Sequence, residues 1–182
     1  MSIYKLKSSF QAILRPLVGR LAASGVTANQ VTVGAALVSV AIGALLLVQP
    51  LPGLFALVPL WMFLRMAFNA IDGMLAREHG QQSALGGYLN EITDVVSDAA
   101  LYIPFALVAP FSLPWIATIV FLSVLTEFAG VLGVAHGKGR NYEGPMGKSD
   151  RALLFGAIGL LVAMFDTLPE WMWHLQPMAC VL

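Results

Sequence analysis

Charged and amide side chains recur at helical spacing inside an otherwise apolar stretch of this chain. Arg65, Asn69 and Asp72 follow one another at spacings of four and three residues, which puts them on one face of a helix. An ionisable group inside a membrane span costs roughly 2.5–3.5 kcal/mol on insertion scales, so such groups usually face a water-filled cavity and take part in function. The spacing therefore predicts a polar functional face on this helix.

A second apolar stretch repeats the pattern with Asn90, Asp94 and Asp98, each four residues after the last. At a rise of about 1.5 Å per residue, Asn69 and Asp94 both fall roughly 12–15 Å from the predicted cytoplasmic ends of their helices. By the same count, Glu127 in a third stretch reaches this depth. We therefore expect three helices to contribute to one polar cluster in the inner half of the membrane.

Carboxylate and carboxamide oxygens are typical ligands of hard cations such as Mg²⁺, Mn²⁺ or Ca²⁺, whereas no thiol or histidine pair is placed for zinc. The sequence thus predicts a site for one or two ions resembling Mg²⁺ or Mn²⁺. A structural interpretation stays open, in which Arg65 pairs with Asp98 and hydrogen bonds between the other groups hold the helices together. The candidate metal ligands are Asn69, Asp72, Asn90, Asp94, Asp98 and Glu127.

The elements that must position these groups are membrane helices. Hydrophobic residues make up 58% of the 182-residue chain and charged ones only 11%, which is typical of an integral membrane protein. Long apolar runs predict an all-α bundle of six transmembrane helices, the last of them short. A preceding amphipathic segment, residues 1–26, is predicted to lie on the membrane surface, and residues 27–182 to form the bundle. The predicted spans are 28–49, 54–76, 86–109, 114–136, 151–167 and 170–182.

The basic residues predict the orientation of the bundle. They flank alternate connections between the predicted spans, whereas the connections at 50–53, 110–113 and 167–170 contain no Lys or Arg. Because cytoplasmic loops collect Lys and Arg, we expect both termini in the cytoplasm. The residues that define this bias are Lys5, Lys7, Arg15, Arg20, Arg77, Lys138, Arg140, Lys148 and Arg151.

Residues 69–94 carry a longer motif. They read N-A-I-D-G-M-L-A-R, eight residues, then G-G-Y-L-N-E-I-T-D. This resembles the CDP-alcohol phosphatidyltransferase motif, D-x-x-D-G-x-x-A-R, eight residues, then G-x-x-x-D-x-x-x-D. T-A-N-Q-V-T at 27–32 and G-K-S-D-R at 147–151 are similar to further elements of that family, so the resemblance covers essentially the whole chain. The matching motif positions are Asp72, Gly73, Ala76, Arg77, Gly86 and Asp94.

The resemblance implies a reaction and roles for its residues. A phosphatidyl group would pass from a CDP-linked lipid such as CDP-diacylglycerol to an alcohol, with release of CMP and dependence on Mg²⁺ or Mn²⁺. Asp94 would act as general base and metal ligand, and Asp72 as metal ligand. A homodimer in the inner membrane of a bacterium is also implied. The residues expected around the nucleotide and the acceptor are Gly73, Ala76, Arg77, Gly86, Lys148 and Arg151, with Lys138 and Arg140 as further candidates for an anionic acceptor.

Asn69 and Asn90 depart from the motif, because the family has aspartates at these two positions. An amide offers a carbonyl oxygen without charge, so the site contains two motif carboxylates where the family has four. Glu91, Asp98 and Glu127 are available to compensate, and Asp98 and Glu127 lie at plausible depths for ligands. Three functions follow as alternatives: an active transferase, a catalytically degenerate protein that binds a CDP-lipid or nucleotide for a partner, or an ion or proton transporter. The outer connections, which contain no Lys or Arg, weigh against the transporter.

Overall fold

The computed structural model of the chain describes residues 3–135, 147–165 and 167–181, and every regular element in these ranges is helical. Short 3₁₀-helices, Pro52–Ala56, Ile103–Leu107 and Glu170–His174, lie between or extend the longer helices. The α-helices are α1 (Ile3–Ala23), α2 (Ala28–Val48), α3 (Leu57–Glu78), α4 (Ala84–Tyr102), α5 (Leu113–Ala135), α6 (Lys148–Met164) and α7 (Leu175–Val181).

The predicted all-helical membrane class is confirmed. Three segments are long and apolar enough to cross a bilayer, namely Ala28–Val48, Pro52–Glu78 and Leu113–Gly133. The count of six spans is not reached by these criteria in the described part of the chain. The physical reason is plain: α4 contains three acidic residues, α6 has 17 residues and α7 has seven. The predicted interfacial segment is helical, as α1.

The chain divides into two compact units. The first unit comprises Met1–Val38 and Phe63–Asp94. Its core joins α1, the start of α2 and the last turns of α3, where apolar side chains are almost completely removed from solvent. Burial of this kind contributes roughly 25 cal/mol per Å² of apolar surface. The core residues are Val18, Ala28, Ile71, Met74 and Leu75.

Two glycines shape the turns of the first unit. Gly25 and Gly80 have positive φ angles of 81° and 66°, which residues with a Cβ adopt only with strain. After each glycine the chain donates backwards to close the preceding helix, with Val26 N bonded to Leu21 O and Gln81 N to Ala76 O. Both α1 and α3 therefore end abruptly, and the chain turns directly into the residues that begin α2 and the connection to α4.

The second unit comprises Ser39–Met62 and Val95–Leu182. Its core is aromatic: the rings of Tyr102 and Phe155 stack at 3.9 Å between centroids, and Phe105 meets Phe155 edge to face at 5.3 Å. Gly159 permits a close helix approach, because a Cβ there would lie 3.0 Å from the Phe55 carbonyl oxygen. This packing holds the middle of the chain against α6.

Candidate active site

Asp94 is fixed by an arginine of α3. Nη2 of Arg65 donates to Oδ1 of Asp94 at 3.1 Å and to the Asp94 backbone carbonyl at 3.2 Å. The side chains of Arg65 and Asp94 are 7% and 14% exposed, so solvent screens this ion pair only weakly. Asp94 lies one helical turn before Asp98 on α4. The pairing of Arg65 with Asp98 that the sequence left open stays a prediction.

Asp72 is held by a threonine of α2. The hydroxyl oxygen of Thr32 lies 2.8 Å from Oδ2 of Asp72 and 3.0 Å from the Ala28 carbonyl oxygen. Thr32 and Asp72 are both buried. Because a short hydrogen bond to a carboxylate is stronger than one between neutral groups, Thr32 restricts the orientation of the Asp72 side chain.

The two motif amides lie on the same helices as the two aspartates. Asn69 precedes Asp72 by three residues on α3, and Asn90 precedes Asp94 by four on α4, so each amide shares a helix face with its aspartate. Both asparagines are half-buried. The contact between Arg65 and Asp94 joins these faces of α3 and α4 within the first unit.

The small motif residues are places of close approach. A Cβ on Gly73 would lie 2.9 Å from Nη2 of Arg77, so the exposed Arg77 guanidinium folds over the glycine backbone. A Cβ on Gly86 would lie 2.9 Å from Oδ1 of Asn29 and 3.1 Å from Oγ of Ser83. Ala76 packs against the core of the first unit instead. Gly73 and Gly86 therefore admit polar side chains next to the backbone.

The Thr27–Thr32 stretch is tied to this region residue by residue. Thr27 and Gln30 form a reciprocal capping box at the start of α2, at 2.9 and 3.2 Å. The side-chain oxygen of Gln81 accepts the backbone N–H of Ala28 at 2.7 Å. Asn29 and Thr32 then reach Gly86 and Asp72, as described above. The start of α2 is therefore a third wall of the candidate site.

Asp98 and Glu127 meet a different arginine. In the second unit, Nη2 of Arg151 lies 2.7 Å from Oε1 of Glu127 and 3.6 Å from Oδ2 of Asp98, and its Nη1 donates to Oγ1 of Thr126 at 3.0 Å. The Arg151 side chain is only 3% exposed. Its positive charge is thus offset by two carboxylates, which limits what it can offer to an anionic acceptor. All three of these charged groups are among the residues that line a small pocket.

The remaining predicted residues lie at the start of α6 or beyond the described ranges. Lys148 is the first residue of α6 and is half-buried, and Asp150 caps that helix by accepting the N–H of Gly147 at 3.1 Å. The acceptor role predicted for Lys148 stays a prediction. Lys138 and Arg140 lie outside the residues that the structure describes.

At the edge of the first unit, Arg15 of α1 forms a two-point contact with Glu78 at the end of α3, at 3.0 and 2.9 Å. The Glu78 carboxylate raises the pKa of the Arg15 guanidinium above its ordinary value, chiefly through these hydrogen bonds. Because both groups are exposed, the pair adds little to stability. It marks the edge along which α1 lies against the end of α3.

The donor set of the first unit suits a hard cation by chemistry. Asp72 and Asp94 supply carboxylate oxygens, and Asn69 and Asn90 carry amide oxygens on the same helix faces. Among the residues that the structure describes, no three acidic, histidine or cysteine side chains are grouped to hold a metal ion. The residues therefore fit a metal by type of oxygen but with few charges.

Sequence reasoning missed the partners that orient the two aspartates. Thr32 is the last residue of the T-A-N-Q-V-T stretch, but the sequence pattern did not indicate a hydrogen bond from Thr32 to Asp72. The contact of Arg65 with Asp94 was not predicted either. A usable signal was present for Gln81, because it follows the helix-ending Gly80 and can reach back to the unbonded N–H groups that begin α2.

Comparison with known proteins identifies the family. The model of the CDP-alcohol phosphatidyltransferases matches residues 25–182. The chain therefore belongs to the CDP-alcohol phosphatidyltransferase family, whose members are membrane-bound transferases that move a phosphatidyl group from a CDP-alcohol. A similar protein is the inner membrane protein YnbA of Escherichia coli strain K12. It is 46% identical over 172 residues, which cover 94% of this chain and 84% of YnbA.

Proposed function

We propose that this protein transfers a phosphatidyl group from a CDP-linked lipid, such as CDP-diacylglycerol, to the hydroxyl of an alcohol, with release of CMP. One observation carries the proposal. In a member of this family, the two carboxylates that the motif retains are each held by a neighbouring side chain, Asp72 by Thr32 and Asp94 by Arg65. Carboxylates held in this way are arranged before substrate binds, as catalysis requires.

The proposed reaction is a single displacement at phosphorus. The acceptor oxygen forms a bond to the lipid-side phosphorus while the bond from that phosphorus to the oxygen of CMP breaks. The carboxylate of Asp94 takes the proton of the acceptor hydroxyl, which is the role of a general base. The contact at 3.1 Å from Arg65 fixes the direction in which this carboxylate points.

Asp72, Asp94, Asn69 and Asn90 would hold a divalent cation, Mg²⁺ or Mn²⁺. When bound, such a cation offsets charge on the diphosphate and helps to orient the leaving group. Arg77, folded over Gly73, would bind a phosphate oxygen through its planar guanidinium. The nucleotide would approach the backbone at Gly73 and Gly86.

The proposal extends to the placement in the membrane. The chain would cross the inner membrane six times with both termini in the cytoplasm, residues 1–26 would lie at the membrane surface, and residues 27–182 would form the catalytic bundle as a homodimer. The sequence bias of basic residues and the helical α1 support this arrangement. The name of the relative YnbA, an inner membrane protein, agrees with it.

A second candidate function is a binding protein for a CDP-lipid or nucleotide without turnover. Two specific observations favour it: amides stand at positions 69 and 90, and the carboxylate of Asp94 is engaged by a guanidinium. The amides add no negative charge to a cation site, and the Arg65 guanidinium occupies one oxygen of Asp94.

The test is release of CMP from CDP-diacylglycerol by purified protein with Mg²⁺ or Mn²⁺ and a panel of neutral, cationic and phosphorylated alcohols. Mass analysis of the lipid product identifies the acceptor. The transferase predicts a lipid carrying one alcohol of the panel. Binding of the CDP-lipid with no release under any condition would favour the second candidate.

A further inference from the structure

We infer that the site in the first unit binds a single divalent cation. The positive charge of the Arg65 guanidinium takes the place of a second cation beside Asp94. The inference deepens the proposed function, on which it rests. The number of metal ions bound per chain can be measured without turnover.

Asp94 already has a positive group beside it. Nη2 of Arg65 donates hydrogen bonds to Oδ1 and to the backbone carbonyl oxygen of Asp94, at 3.1 and 3.2 Å. The arginine side chain is 7% exposed, so its charge is weakly screened by water. A cation approaching that edge of Asp94 would meet a positive group at hydrogen-bonding distance from the same carboxylate.

Asp72 also has a hydrogen-bonding neighbour. Its Oδ2 lies 2.8 Å from the hydroxyl of Thr32, and both residues are buried. This hydrogen bond occupies one of the about four lone-pair sites of the carboxylate, so fewer sites are left for cations. This arrangement favours coordination of one ion by Asp72.

The net charge of the four motif side chains together with Arg65 also favours one cation. Asp72 and Asp94 contribute two negative charges, Asn69 and Asn90 none, and Arg65 one positive charge. One divalent cation already exceeds the remaining negative charge, and a second would leave three positive charges together. Among the described residues, no third acidic side chain is grouped with two others to hold a metal, and Asp98 and Glu127 both contact Arg151. Substrate phosphate can balance one cation more readily than two.

The experiment counts Mn²⁺ bound per chain by electron paramagnetic resonance, on full-length protein in a neutral detergent, with and without CDP. Wild type is expected to bind one Mn²⁺, and the Asp72→Asn/Asp94→Asn variant is expected to lose it. Glu170→Gln, which removes an exposed carboxylate of the second unit, is the matched control and should bind as wild type does. Two ions, or none, on the wild type would overturn the inference.

The role of Arg65 is tested in a background with restored carboxylates. Asn69→Asp/Asn90→Asp is expected to bind one Mn²⁺ at least tenfold more tightly than wild type, and adding Arg65→Gln is expected to admit a second ion. Two ions bound while Arg65 is still present would overturn the assigned role. Arg65→Lys in the same background keeps the charge, should keep one ion, and provides a reading should the Gln variant fold poorly. Because these readouts need no CMP release, failure of catalysis and failure of this inference are distinguishable.

Discussion

Thr32 and Asp72 form a buried hydrogen bond of 2.8 Å between α2 and α3. Asp72 belongs to the motif at residues 69–94, whereas Thr32 lies before it in the chain. The bond links the start of the first apolar helix to a retained carboxylate. It gives the T-A-N-Q-V-T stretch a chemical role beyond starting a helix.

Thr32→Val keeps the shape of the side chain and removes its hydroxyl. We expect CMP release to fall about tenfold, because a hydrogen bond to a charged group contributes roughly 1.5–3 kcal/mol. The half-saturating Mn²⁺ concentration should rise as Asp72 loses its fixed orientation. Thr32→Ser retains the hydroxyl and should stay within about twofold of wild type. Equal activity of the Val and Ser variants would remove Thr32 from the site.

The glycine positions make a second prediction. Gly86→Ala would place a Cβ 2.9 Å from Oδ1 of Asn29, so Asn29 must move and CMP release is expected to drop about tenfold, roughly 1.4 kcal/mol in transition-state stabilisation. Gly87→Ala is the matched control on the next residue, because a Cβ there has nothing within 4 Å. The initial rates of both variants, with their helicity measured alongside, show whether the close approach of Asn29 to Gly86 affects activity. Similar losses in both would point to backbone propensity of α4 instead of close approach.

Much of this site was predictable because motif spacing fixes helix faces. The positions of Asn69, Asp72, Asn90 and Asp94 on two helices followed from intervals of three and four residues alone. Membrane class and helix bounds followed from apolar runs, to within a few residues for α2 and α5.

Side-chain partners across helices were not predictable in the same way. A depth count treats each residue as a point on its helix axis, whereas the long Arg65 side chain extends from that axis to Asp94. The grouping of Asp98 and Glu127 with Arg151 depends on how α6 packs in the second unit, which no local spacing encodes.

That buried trio yields a stability prediction. Arg151→Met leaves the carboxylates of Asp98 and Glu127 buried beside an apolar chain, and is expected to cost about 3–5 kcal/mol. Arg151→Met combined with Asp98→Asn and Glu127→Gln removes all three charges and should recover most of the loss. Thermal unfolding in detergent measures both variants. A single variant as stable as wild type would show that the ion pairs add nothing to the fold.

Asp94 is proposed to be the general base of a phosphatidyl transfer. The measurement that tests this role is the rate of CMP release from CDP-diacylglycerol by wild type and Asp94→Asn, under identical metal and acceptor conditions. Both proteins are first shown to have the same helicity and thermal stability. We expect metal-dependent release by wild type and a loss of about 100-fold or more in Asp94→Asn, the scale of a missing general base. Release that survives unchanged in Asp94→Asn would contradict this role.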